Sequence, residues 1–266
     1  MDSPGIHNGQ EVTKDFDSYS LKLVFGHSYF SDEICQKVIA DLGPRMPDLD
    51  VSGYFRSQPS IFTDYDFLLL ATESEMGTVI GLLGGQWMST PTRRFLYVRT
   101  AQIAHTMRSS LLYPRMQSFM FSGILAANGG APPELIVMKT HNPRAFSLMR
   151  KYFGRMPGVS IFPRLPGRSS SWMSEIAEDI AMSLWPASRF SVQTGVLYGV
   201  QAAISPNFFP RIEPCRDDDV NDHFQSSLTR DDQILCIVHI PTEAHEAIRN
   251  ELRAVPGLRA EPSSHT

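Results

Sequence analysis

Apolar and polar positions alternate with two different periods along this chain. Residues 67–72 (FLLLAT) and 78–88 (TVIGLLGGQWM) are strand-like runs separated by a short turn, and they predict an antiparallel hairpin. Gly81, Gly84 and Gly85 interrupt the second run, which predicts a bulge or a close backbone approach. Residues 94–104 (RFLYVRTAQIA) predict a third strand. Residues 109–127 switch to the helical period, with Met116, Phe119, Met120, Ile124 and Leu125 on the apolar face and Gly129-Gly130 as the stop. Residues 135–139 (LIVMK) read as a strand buried on both sides. Asn142 as N-cap and Pro143 at the first helical position predict a helix to residue 153.

The order is therefore strand, strand, strand, helix, strand, helix. Its last part implies parallel pairing with a right-handed crossover. The fold class expected is α+β, with a mixed, mainly antiparallel central sheet flanked by helices. Upstream, residues 21–25 predict a strand. Ser31 caps a helix to residue 42 whose face is Ile34, Val38, Ile39 and Leu42. Residues 44–64 read as a long connection. Downstream, residues 155–171 are rich in Pro, Gly, Arg and Ser. A helix over 172–184, strand-like residues 190–201, a helix over 217–228, a strong strand over 233–240 and a helix over 241–255 follow. Three regions result: a mobile arm (1–17), a core domain (18–160), and an extension (161–266) packed on or extending the same sheet. Residues 261–266 read as a tail.

Composition narrows the class. The 266 residues are 42% hydrophobic and 20% charged, with a net charge of −4. This is ordinary for a globular protein and gives no overall attraction to nucleic acid or an anionic membrane. No apolar run reaches the roughly 18 residues of a membrane span, and the first residues do not read as a signal peptide. Three cysteines and no Asn-x-Ser/Thr sequon suit a cytoplasmic setting. Cys35 and Cys236 fall in apolar patterns and read as small buried hydrophobes. Asp217, Asp218, Asp219, Asp222 and His223 read as an acidic first helical turn, so no metal is expected.

Two segments carry a family resemblance. Residues 140–154 (THNPRAFSLMRKYFG) follow a buried strand and resemble the Asn-x-x-Ala-x-x-Leu-Tyr helix of the GNAT (N-acetyltransferase) superfamily, with Asn142, Ala145 and Leu148 matching. Residues 103–116 (IAHTMRSSLLYPRM) resemble that family's Val-x-Pro-x-x-Arg-Gly-x-Gly-x-Gly strand end and pyrophosphate loop, with Ile103, Arg108 and Met116 matching in kind. The resemblance implies a GNAT-like core, acetyl-CoA or another acyl-CoA as cofactor, and Ile103, Arg108, Ser109, Ser110 and Asn142 as cofactor-binding residues. A helix start binds phosphate through its unpaired N–H groups.

Against the family pattern, Ser109, Leu111 and Tyr113 replace three loop glycines, and Met149 stands at the usual Tyr. Tyr152, close by in sequence, becomes the substitute acid. His105 and His141, at two strand ends, are candidates for proton transfer near neutral pH. Arg99 is a candidate anchor for an acidic group. Trp87, Tyr97, Tyr113 and Met149 are expected to line a substrate pocket. Three functions stay open. One is an acyl-CoA-dependent acyltransferase acting on a small amine or alcohol. The second is a repurposed core that cyclises or isomerises an apolar molecule in specialised metabolism, without cofactor. The third is a non-enzymatic binding protein. The partner expected is a small-molecule substrate, and a homodimer is left open.

Overall fold

A computed structural model describes residues 11–26, 31–58, 61–108, 110–200 and 214–254. The elements are β1 (Glu11–Asp15), β2 (Tyr19–Phe25), α1 (Asp32–Leu42), α2 (Val51–Arg56), β3 (Phe67–Glu73), β4 (Val79–Ser89) and β5 (Arg94–Ile103). They continue with α3 (Leu112–Ala127), β6 (Leu135–Thr140), α4 (Pro143–Phe153), β7 (Ser160–Phe162), α5 (Ser171–Leu184), β8 (Phe190–Ser191) and β9 (Val196–Leu197). The last are α6 (Asp218–Ser227), β10 (Gln233–His239) and α7 (His245–Ala254). The class is α+β, as the periods predict: a ten-stranded, mainly antiparallel sheet in the order β1-β2-β3-β4-β5-β6-β10-β9-β8, with β7 also pairing β10. Among the described residues, no helix is long and apolar enough to cross a membrane.

Local signals form the caps they predict. The Ser31 side chain accepts from Ile34 N–H, and Asn142 Oδ1 accepts from Arg144 N–H ahead of Pro143. Three expectations change. Residues 11–15, placed in a mobile arm, form β1 along β2; residues 1–10 and the 261–266 tail lie outside the described residues. The 44–64 connection contains α2, because Asp50 caps Gly53 N–H and Val51, Tyr54 and Phe55 are buried. Helix α3 begins at Leu112 rather than 109, after a 3-10 turn over His105–Met107, with Pro114 in its first turn.

Strand alternation splits the core. Leu96, Val98 and Ile136 join the main apolar cluster, which also takes Met116 and Met120 of α3, Phe146 and Met149 of α4 and Phe224 of α6. Phe95, Tyr97, Leu135, Val137, Leu235 and Ile237 point the other way, under Met173, Ile176 and Ile180 of α5. Strand β10 runs antiparallel along β6 from Ile234↔Thr140 to His239↔Leu135, so residues from the downstream region lie beside β6 in the same sheet.

Two irregularities position the site. Strands β5 and β6 are parallel but pair only at Leu96↔Ile136 and Tyr97↔Val137. Beyond that point the two strand ends have no mutual register and diverge. Opposite β5, the β4 register slips from Gly84↔Thr100 to Gly85↔Val98, leaving Arg99 as an extra residue. The glycines permit this: a methyl on Gly84 would stand 2.6 Å from the Tyr65 ring, and one on Gly85 would meet the Tyr97 carbonyl oxygen.

Candidate active site

A cavity of about 780 Å³ fills the angle between the diverging β5 and β6. That is within the usual range for a small-molecule site. One wall is β5 from Tyr97 to Ile103, and the other is Met138, Lys139, Thr140 and His141. The first turns of α3 and α4 form one mouth, through Tyr113, Asn142, Arg144, Ala145 and Leu148. Gln86 and Met88 of β4, with Leu184 and Trp185 after α5, form the opposite end. The connection before and including α2 roofs the space with Met46, Asp48, Leu49 and Tyr54. This roof is tied to β5: Tyr65 Oη donates to Thr100 Oγ1 at 2.6 Å, and the Tyr54 hydroxyl lies 3.0 Å from the same oxygen. Burial pushes both tyrosine pKa values up.

Of the sequence-predicted residues, Arg99, Tyr97, Ile103, Arg108, Tyr113, His141 and Asn142 line this cavity. Arg99 donates to Asp64 at 2.6 Å. Arg108 is held by both carboxylate oxygens of Asp48, at 2.5 and 3.0 Å. Burial works to raise the Asp48 pKa, but the hydrogen bond and charge of Arg108 outweigh it and hold the carboxyl below its ordinary value. The expected phosphate-binding fork therefore faces a carboxylate. His141 is buried, and its Nδ1 lies 2.8 Å from the Asp232 carbonyl oxygen. A carbonyl only accepts, so Nδ1 carries the proton.

Other expectations are corrected. Tyr152 lies away from the cleft, stacked on Phe121 with centroids 6.2 Å apart and its hydroxyl 3.3 Å from Ser118 Oγ. It lines a small separate apolar pocket between α3, α4 and α7. Met149 is buried in the main core, and Leu148, one position earlier on α4, faces the cavity instead. Trp87 points away from the cavity because its neighbours Gln86 and Met88 occupy the lining face; the Arg94 guanidinium sits 4.3 Å from its ring centroid. His105 is exposed on the 3-10 turn, outside the lining, with Nδ1 3.8 Å from Asp48. Ser110 Oγ donates to Met107 O and accepts from Leu112 N–H, closing the turn before α3. Ser109 lies outside the described residues. Leu111 is 64% exposed and does not plug the cleft.

The amides at the start of α3 are few. Leu112 N–H is taken by Ser110, and Pro114 has none, so Tyr113 supplies the remaining N–H of these three positions.

Lys139 escaped the sequence reading. Its signal was its place at the polar end of an otherwise apolar strand. It continues the Leu135–Val137 face toward α5, with its ammonium 5.3 Å from the Trp185 ring centroid. It makes no ion pair among the described residues. Burial, and then the charge of Arg99, lower its pKa to about 8. The folded chain thus releases a proton that the unfolded chain keeps until near 10.5. Between those values Lys139 makes stability rise with pH. Burial raises the pKa of Cys236 and Tyr113, which acts in the opposite sense above their ordinary values, but that contribution is common to a Lys139→Met variant. The difference in unfolding free energy, wild type minus variant, is expected to climb from about pH 8 to about pH 10.5 in urea titrations. A flat difference contradicts a desolvated Lys139.

No family model matches this sequence, and no curated protein matches it. The solved structures similar to this chain include GNAT acetyltransferases. One is the Escherichia coli GNAT-family N-acetyltransferase YhbS in complex with CoA, at 13% identity and a TM-score of 0.35, covering 46% of this chain and 62% of that one. The match thus spans less than two thirds of YhbS. Another is the ribosomal-protein-S5-alanine acetyltransferase of Vibrio fischeri, at 11% identity and a TM-score of 0.38, covering 58% and 88%. Ard1 from Thermoplasma volcanium matches at 15% identity and a TM-score of 0.33, covering 56% and 89%.

Proposed function

We propose that this protein is an acyl-CoA-dependent acyltransferase that modifies a small amine or alcohol. The observation that supports this reading most is the opening of the parallel β5–β6 pair beyond Tyr97 and Val137 into a cavity that leads to the starts of α3 and α4. Past the divergence, the β6-facing edge of β5 has no β6 partner in register. That edge can hydrogen-bond an extended, amide-bearing pantetheine arm.

The residues present fit such an arm. Gln102 is 4% exposed and lines the cavity, and both its Nε2 and Oε1 are buried without a hydrogen-bond partner. Each orphaned amide atom costs about 1–3 kcal/mol, and a secondary amide offers both the donor and the acceptor it lacks. At the α3–α4 mouth, Arg144 and the Tyr113 N–H would meet phosphate. Arg108 would do so once released from Asp48.

Bound acyl-CoA supplies an activated thioester, whose C–S bond breaks as the acceptor nitrogen or oxygen bonds the acyl carbon, the acceptor losing one proton and CoA leaving as the thiol. His141 is assigned as the group that takes the proton. Its Nδ1–H is fixed on the Asp232 carbonyl, which leaves the basic site of the neutral ring at Nε2. Tyr97 and Trp185, 6.0 Å apart edge to face, wall the inner end.

Titration calorimetry with acetyl-CoA and longer acyl-CoAs tests the reading. Saturable binding is expected, with affinity reduced roughly tenfold or more when Ala145→Trp fills the cleft beside α4. Absence of binding to the wild-type protein sinks it. The Asp48–Arg108 pair and the sparse α3 amides favour a second reading, in which the cleft converts an apolar molecule without cofactor. Under that reading turnover is independent of CoA.

A further inference from the structure

Resting on the acyl-transfer reading, the acceptor itself can be assigned to a chemical class from the inner end of the cleft. Arg99 and Lys139 face this space from opposite walls, β5 and β6. Asp64 is the carboxylate on Arg99, and it engages one terminal nitrogen, leaving the other donors of the planar fork. Lys139 meets the aromatic face of Trp185 and no carboxylate among the described residues. Two cations with one anion leave an excess positive charge in a partly desolvated wall. Such a charge is costly unless something pairs with it.

A second, independent observation lies beside them. Gln86 stands opposite Tyr97 in the β4–β5 register, lines the same cavity, and has a buried Oε1 without a hydrogen-bond partner. It lacks a donor. Met88, Leu184 and Trp185 close the space around these polar groups with apolar surface.

We infer that the acceptor is a small amino or hydroxy acid, its carboxylate held between Arg99 and Lys139; an amino acid can also donate one N–H to Gln86 and keep the other for the base. The carboxylate supplies the missing charge, and an amine, which has a second N–H to give, supplies the missing donor. Amine acceptors gain a further advantage: two nearby cations disfavour an ammonium and so favour the neutral, nucleophilic amine. A neutral or cationic acceptor would leave Lys139 unpaired.

Matched pairs test this directly. β-Alanine against β-alaninamide and glycolate against glycolamide differ in the carboxylate while keeping the skeleton and the acceptor group. Their binding to the full chain is read by saturation-transfer NMR and calorimetry, alone and with CoA present in excess. The acids are expected to bind, their amides at least roughly tenfold more weakly, as the loss of a charge-assisted hydrogen bond implies. Lys139→Met is expected to weaken the acids roughly tenfold while Lys139→Arg retains them, and Arg99→Gln provides the parallel loss on the other wall. Acids that bind no better than amides, that fail to bind, that ignore Lys139→Met, or that CoA displaces overturn the assignment. Failure of acetyl-CoA to bind is a separate result: it removes the acyl-transfer reading, while acid binding is still scored on the protein alone.

Discussion

Replacing Gly85 with alanine is expected to destabilise the protein by about 2–4 kcal/mol and to abolish ligand binding in the cleft. The added methyl collides with the Tyr97 carbonyl oxygen and stands 2.7 Å from the Phe67 ring. A carbonyl in a paired strand cannot rotate aside, so the strain must open the register step that leaves Arg99 unopposed. Gly81 is the control. There the methyl meets the Sδ of Met116 at 2.8 Å, the far end of a flexible side chain, which can give way. Urea denaturation at fixed pH separates the two: Gly81→Ala should cost markedly less. Equal costs would show that the β4–β5 bulge is not what makes Gly85 necessary. The effect on function should exceed the effect on stability, because Tyr97 and Arg99 both sit on the displaced backbone and both line the cleft.

The second large effect is expected at Asp232, 3% exposed and immediately before β10. Its carboxylate accepts from Thr229 N–H at 2.9 Å, Thr229 Oγ1 at 2.6 Å and Gly199 N–H at 2.9 Å, and its carbonyl meets His141 Nδ1 at 2.8 Å. Asp232→Ala orphans three donors, at about 1–3 kcal/mol each before relaxation, so a loss of roughly 3–5 kcal/mol is expected. Asp232→Asn keeps one oxygen but turns an NH₂ toward a donor, and should fall between. Burial tends to raise the Asp232 pKa, but the hydrogen bonds from Thr229 and Gly199 outweigh it and leave it lowered. A lowered carboxyl pKa gives stability that is complete above the ordinary carboxylate range and is lost as pH falls through the folded value. Wild type should therefore lose stability in acid more steeply than Asp232→Ala, and the two should converge at low pH. Parallel curves would contradict the carboxylate's role. The backbone carbonyl remains in the variant, so activity in the surviving folded fraction reports whether His141 keeps its orientation.

Periodicity and caps determined the elements between residues 67 and 153. The 3.6- and 2-residue patterns, Asn142-Pro143 and the glycines of β4 are local properties, fixed by backbone sterics and by which face must leave water. That is why the order of strands and helices, the α+β class and the close backbone approach at the β4 glycines were legible, while the placing of the extra residue at Arg99 of β5 was not. The cleft's β5 side, with Tyr97, Arg99 and Ile103, was legible too, as was its α4 edge at Asn142. The sequence also showed that the loop before α3 lacked glycine.

Tertiary structure decided which side chains share a space. Tyr152 and Met149 sit on α4 beside residues that line the cleft, yet they turn into a small apolar pocket and the core, because α4 lies against α3 and α6. Trp87 lost its place to Gln86 and Met88 once the β4 face was fixed. Asp48 reached Arg108, Trp185 reached Lys139, and Asp232 reached His141 across separations of 46 to 91 positions, which no local pattern encodes. Above all, the excess charge at Lys139 exists only because the parallel pair opens where it does. A lysine ending an apolar strand is ordinary in sequence; burial beside Arg99, with no carboxylate paired to it among the described residues, sets this one apart.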